Sequence, residues 1–208
     1  MPSLFVRAPA ALLALAIGFA CSPAALAQGV TVNVNGRAAP ILYVTRSQVN
    51  FQVPWETKVG QDATIQVNNG MTSNSTVVPV VSAGPGLFTN GAGRAVVQNA
   101  NLRLNSPNDP AAAGTTIMAY LTGSGPVKPS VADGAPAPAK PPATATSSCT
   151  ASIGSASATV SFAGLAPGFV GVMQVNIVVP SGLAAGDYAL TITVDGQASN
   201  SAKISVTP

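Results

Sequence analysis

Histidine is absent from all 208 residues. That removes the commonest general base and metal ligand, and no Ser-His-Asp or Cys-His arrangement can be assembled. Charge is scarce as well: charged residues make up 7% of the chain, against about 25% in an average soluble protein. The six acids are Glu56, Asp62, Asp109, Asp133, Asp187 and Asp195, and they are spread along the chain. Glycosidase chemistry needs two carboxyls at a set separation and a calcium loop needs several acids together; neither grouping is present in the sequence. The Lys and Arg residues are equally scattered, so the clustered basic footprint of a nucleic-acid binder is missing. The net charge of +3 reflects few charges rather than many positive ones. No apolar run reaches the roughly 20 residues of a spanning helix, and no segment beyond the N-terminus has helical periodicity. Catalytic residues, cofactor-binding residues and metal ligands are therefore all expected to be none.

What is present begins with an export signal. Arg7 supplies a positive charge, residues 10–20 form an apolar run, and Ala25-Leu26-Ala27 offers small residues where a signal peptidase reads. Residues 1–27 are expected to be removed, with Gln28 as the new N-terminus, leaving 181 of the 208 residues. The mature chain then has no transmembrane segment and is exported, to the cell surface, the periplasm or the medium. A competing cut before Cys21 would make a lipoprotein, but Gly18-Phe19-Ala20 fits a lipobox poorly. Cys149 alone survives cleavage, so no internal disulfide is expected.

The mature sequence alternates with a period of two. Val30, Val32 and Val34 alternate with polar residues up to the turn Asn35-Gly36. Val49, Phe51 and Val53 do the same before Pro54, Ile65 and Val67 before Asn69-Gly70, and Leu190, Ile192 and Val194 before Asp195-Gly196. Ala202, Ile204 and Val206 follow. Short strands closed by Gly, Pro or Asn predict an all-β sandwich. Blocks recur in order: Gln48–Pro54 matches Gln174–Pro180, Ile65–Gly70 matches Ile192–Gly196, and Ser73-Asn74-Ser75 matches Ser199-Asn200-Ser201. Matched blocks in one order point to duplication of a single supersecondary unit. The expected division is a first unit over 28–83, a connecting segment with a short strand over 84–112, and a second unit over 113–208. The Pro/Ala-rich insertion near 134–148, and Gly134–Pro142 above all, reads as an extended, solvated loop.

On these residues the second copy resembles an IPT/TIG domain, an immunoglobulin-like module. Gly114-Thr115-Thr116-Ile117 stands for the opening strand, Ile153-Gly154 with Ala158 for a hairpin, Val175–Pro180 for the next strand and Gly186–Ser199 for the closing pair. The whole of 30–208 is similar to an uncharacterised C-terminal domain family of exported acidobacterial proteins. Val34-Asn35-Gly36 to Ala39-Pro40, Gln48–Trp55, Leu104–Pro107, Gly123–Pro126 and Leu165–Gly171 carry that likeness. It implies two immunoglobulin-like units and an exported setting, and no assigned activity. Family members open with a strand that is missing here before Val30, so the first unit reads as truncated. Two repairs are open: Ala95–Gln98 folding back in cis, which is preferred, or a strand added in trans by another exported protein or a second copy, with weak self-association.

Remaining motifs are weak. Glu56 and Asp62 read as turn residues, as do Asn108-Asp109-Pro110 and Asp195. Ser124 in Gly123-Ser124-Gly125 superficially suggests a nucleophile turn, but neither a His nor a following helix accompanies it. The two candidate contact residues are Trp55 and Phe169, each either exposed for contact or, as the preferred expectation, buried as a plug at the end of a sandwich. The expected role is a structural, adhesive or interaction module. The alternative is a polysaccharide-binding module that stacks sugars on Trp55, Tyr43, Tyr120 or Phe169.

Overall fold

The computed structural model describes residues 29–45, 48–70 and 75–208. The expected signal sequence, Cys21 and the cleavage site at Gln28 lie outside them. The chain is all-β: among the described residues every regular element is a strand, and no helix is long and apolar enough to cross a membrane. It forms two compact units. The first comprises the described residues up to Ser82 with Ala132–Ala135, and the second comprises Ala83–Val131 with Pro136–Pro208.

In the first unit the strands are β1 (Val30–Val34), β2 (Arg37–Ala38), β3 (Ile41–Val44), β4 (Val49–Phe51), β5 (Asp62–Asn69) and β6 (Thr76–Pro79). Asn35 and Gly36 both take positive φ, at 51° and 79°, which is what a two-residue hairpin turn demands. They return the chain so that Val34 faces Arg37. Pro40 has no N–H to give a ladder, and the strand breaks there into β2 and β3. The result is a four-stranded sheet in the order β2-β1-β5-β6 and a separate antiparallel pair β3–β4. Val32, Val34, Ala39 and Ala63 are buried, with Ile41, Val49, Phe51, Ile65, Val67, Val78 and Val80 packed partly buried against them. Val53 does not continue the inward alternation of Val49 and Phe51: it lies beyond β4 and is 48% exposed.

The second unit has β7 (Gly86–Leu87), β8 (Val97–Gln98), β9 (Ala111–Ala112), β10 (Thr116–Thr122), β11 (Val127–Lys128), β12 (Thr144–Ala145), β13 (Cys149–Ile153), β14 (Ala156–Leu165), β15 (Met173–Val178), β16 (Gly186–Val194), β17 (Gln197–Ala198) and β18 (Ala202–Thr207). Its strands run in the order β7-β10-β15-β14-β13-β16-β18-β9, with β8, β11, β12 and β17 as side branches. β14 makes this continuous. Its first residues pair with β13, its remainder pairs with β15, and the register shifts between Val160 and Phe162. Such a bulge bends a strand and increases its twist, so one strand serves two ladders. Alternate residues Ile117, Ala119 and Leu121 of β10, Val175 and Ile177 of β15, and Leu190, Ile192 and Val194 of β16 are fully buried.

Residues 84–112 pack into this second unit. Val97 of β8 pairs with Ala119 and Gln98 with Met118, Ala95 N–H donates to the Lys203 carbonyl, and β9 runs parallel to β18. Cis repair of the first unit by Ala95–Gln98 is therefore corrected. The apolar side chain of Val97 is buried in the second core, and the segment's backbone is spent on β10 and β18. Gly134–Pro142 contains no strand, and six of its nine residues are exposed, as expected of a solvated loop; within it Ala137 is buried, as is Ala143 just beyond it.

Candidate functional site

Each expected contact residue belongs to its own unit. Trp55 follows Pro54 at a turn of the first unit, where Thr57 donates both its N–H and its Oγ1 hydroxyl to the Pro54 carbonyl. The Trp55 N–H donates to Asp133 Oδ1 at 3.0 Å, and Gly134 N–H donates to the buried Gln52 Oε1 at 2.7 Å. The turn is thus held by the short segment Ala132–Ala135. The indole is half-buried, and its Nε1 is enclosed without a hydrogen-bond partner among the described residues. Beside it lies an open pocket of about 270 Å³ lined by Asn35, Arg37, Glu56, Thr57, Lys58 and Gln61. Of its three charged side chains, Arg37 and Glu56 form an ion pair at 3.3 Å, and Lys58 is the third.

Phe169 lies in the second unit and does not plug anything. It is 43% exposed, which corrects the preferred expectation for this residue. The physical reason is the loop backbone. Ala166 N–H donates to the Val172 carbonyl, and Phe169 N–H donates back to the Ala166 carbonyl. Ala137 N–H donates to the Phe169 carbonyl while Gly168 N–H donates to the Ala137 carbonyl. Gly168 takes φ of +81°, a conformation costly for residues with a Cβ. These bonds close a tight turn whose tip, Pro167-Gly168-Phe169, is exposed. Of the other aromatics, Tyr43 is 44% exposed on β3. Tyr120 is partly buried, and its hydroxyl donates to Gln98 Oε1 at 2.6 Å, with burial raising its pKa.

The carboxylates are held by structural partners. Glu56 pairs with Arg37, Asp109 with Arg103, Asp133 with the Trp55 amide and Asp187 with Arg94 at 2.8 Å. Asp187 also accepts from the Ser205 hydroxyl at 2.6 Å, and the hydrogen bonds from Arg94 and Ser205 hold its pKa down at about 2. Asp62 opens β5 rather than sitting in a turn. No group of three or more His, Cys, Asp or Glu side chains capable of holding a metal occurs among the described residues. Ser124 is buried and its hydroxyl donates to the Gly125 carbonyl. The adjacent Gly123, at φ of +78°, has no room for a Cβ against the Gly84 carbonyl, so this glycine serves the close approach of two backbones. Burial also raises the Cys149 thiol pKa to about 11.

Sequence reasoning missed how the Gln-Val-Asn blocks are built. Gln48 Nε2 donates to Asn50 Oδ1 at 2.6 Å, and Gln174 Nε2 donates to Asn176 Oδ1 at 2.8 Å. The spacing of two residues on one strand face was the available signal.

No family model matches the chain, and no curated protein matches it. Among solved structures it is similar to a Bacteroides ovatus mixed-linkage glucan utilization locus protein, SGBP-B, in complex with a mixed-linkage heptasaccharide. The identity is 16% and the TM-score 0.31, over 86% of this chain and 37% of that one. It is also similar to the C-terminal domain of the Streptococcus pyogenes antigen I/II-family protein AspA, at 12% identity and a TM-score of 0.19, over 77% of this chain and 57% of that one. The chain thus spans less than two thirds of the length of either. Likeness of this degree carries no argument about what the chain binds.

Proposed function

We propose that this chain is an exported, non-catalytic interaction module of two immunoglobulin-like units, and that it meets a partner protein through the Pro167-Gly168-Phe169 tip. The observation that carries this reading is Phe169: a large apolar side chain 43% exposed on a turn fixed by backbone hydrogen bonds. A pre-ordered loop loses little conformational freedom on association, and aromatic anchors dominate interface energies. The absence of histidine and the structural engagement of Glu56, Asp109, Asp133 and Asp187 support the non-catalytic part. The likeness to IPT/TIG modules supports the immunoglobulin-like units, and the likeness to the exported acidobacterial domain family, with the expected signal sequence, supports the exported setting.

A photo-reactive phenylalanine analogue in place of Phe169, used on the exported protein, tests the contact. One discrete cross-linked partner is expected, and cross-linking no stronger than at the exposed control position Val81 would overturn the proposal. A second reading, polysaccharide binding, is favoured by the exposed Tyr43 ring and the half-buried Trp55 indole. A glycan array with Trp55→Ala and Tyr43→Ala addresses it: binding lost in those variants and kept in Phe169→Ala would replace the first reading. Reproducible turnover in a broad hydrolase screen, abolished by one substitution, would overturn both.

A further inference from the structure

The two units follow one plan, and among the described residues one of them shows no counterpart to β10. The order β2-β1-β5-β6 of the first unit corresponds to β14-β13-β16-β18 of the second. The pair β3–β4 corresponds to the later half of β14 with β15. Tyr43 faces Asn50 and Val44 faces Val49, with a register shift between Ile41 and Tyr43. Phe162 faces Asn176 and Ala163 faces Val175, with the shift between Val160 and Phe162. The same bulge therefore sits at the same place in both. Together with the matching Gln–Asn side-chain bonds, this sets Val49, Phe51 and Val53 level with Val175, Ile177 and Val179.

The difference is on the other edge. In the second unit β10 pairs along β15, from Thr116 opposite Val178 to Leu121 opposite Met173. Beyond it Val179 N–H donates to the Thr115 carbonyl and Gly114 N–H donates to the Val179 carbonyl. In the first unit β4 pairs with β3, and no strand among the described residues pairs with its other edge. Gln52 N–H and the Gln48 carbonyl bond on the β3 side, so the alternation of a strand turns the N–H and C=O groups of Val49 and Phe51 outward. Exposure follows the pairing. Val175, Ile177 and Val179 are fully buried, whereas Val49 and Phe51 are half-buried and Val53 is exposed.

We propose that the outer edge of β4 is a strand-acceptor site, filled in trans by an extended segment of a different protein that runs antiparallel to β4. The chemistry of the occupant is set by β10, which sits in the equivalent place and turns Ile117, Ala119 and Leu121 inward. The partner segment carries aliphatic or small side chains at three alternating positions and no proline between them. Backbone hydrogen bonds supply affinity in such strand addition, and the alternating side chains supply specificity. This deepens the interaction-module reading and rests on it, but uses a surface on the first unit rather than Phe169.

The probe is a synthetic peptide with the sequence of residues 114–122, added to the purified full chain. Amide hydrogen exchange at Val49 and Phe51 is expected to slow at least about ten-fold at saturation, with β15 unchanged. A peptide carrying Ile117→Asp, Ala119→Asp and Leu121→Asp is expected to have no effect. Equal slowing by both peptides, or by neither, overturns the site. So does protection of Val49 and Phe51 without peptide equal to that of Val175 and Ile177, because the chain would then fill its own edge. Protection that rises with protein concentration alone assigns the edge to a second copy and overturns the foreign partner. A failed peptide titration with intact cross-linking at residue 169 would sink the strand site and leave the Phe169 contact standing.

Discussion

Asp187 shows how a sparse set of charges can still matter. Its carboxylate accepts from the Arg94 guanidinium through two bonds and from Ser205, and its pKa is lowered from 3.8 to about 2. A lowered folded-state pKa contributes stability that is complete above the ordinary value and is lost as the pH falls through the folded one. The unfolding midpoint in urea should therefore drop between about pH 4 and pH 2, and Asp187→Asn should flatten that part of the profile. Burial acts in the opposite sense on Cys149, raising its pKa to about 11. Because the thiolate is the reactive form, alkylation of the folded protein at pH 8 should be at least about 100-fold slower than in urea, read by mass spectrometry. Neither environment was legible in the sequence. Arg94 and Asp187 are 93 positions apart, and nothing local to Ser147-Ser148-Cys149-Thr150 announces the neighbours of the thiol.

Strands were the most readable elements. Alternation at Val30–Val34, Leu190–Val194 and Ala202–Val206 names the inward residues, because a half-buried strand has a period of two whatever surrounds it. The turns at Asn35-Gly36 and Asp195-Gly196 were equally legible, with positive φ at all four residues. What alternation could not show is which strands pair. Residues 84–112 carry little apolar periodicity and read as a connector, yet they cover the free side of β18 through side chains as much as through backbone. Asn105 is central: Ser205 N–H donates to its Oδ1, and its Nδ2 donates to the Ser205 carbonyl and to Asn99 Oδ1. Asn105→Ala leaves a buried N–H and C=O without partners, so a loss of about 2–4 kcal/mol is expected in denaturant unfolding. Surface asparagines such as Asn101 should give much less. Phe169 marks the limit at the candidate site. Aromatics usually bury, and the bonds that hold this one outward include two with Ala137, 32 positions upstream.

Across the whole chain apolar burial is uneven. Among the described residues the second unit buries twenty-one hydrophobic side chains in one cluster, whereas the first buries four and leaves the others partly exposed. Each fully buried Val, Leu, Ile or Met side chain contributes about 1.5–3 kcal/mol, so the second unit should be much the more resistant to opening. Native-state hydrogen exchange is expected to show β1 and β5 exchanging through lower-energy openings than β13 and β16. Equal protection in the two would mean that the first unit is reinforced.

The last strand has a mechanical consequence. β18 is gripped on one side by β16 along Gly186–Leu190 and on the other by Ala95, Asn105 and the parallel β9. Traction on the C-terminal end along the strand axis strains both rows of bonds together instead of opening them one by one. In the first unit β6 pairs, among the described residues, with β5 alone, so a single row of bonds holds it. Forced unfolding is governed by the barrier met along the pulling direction. A tether at Pro208 would therefore pull against two rows of bonds loaded together.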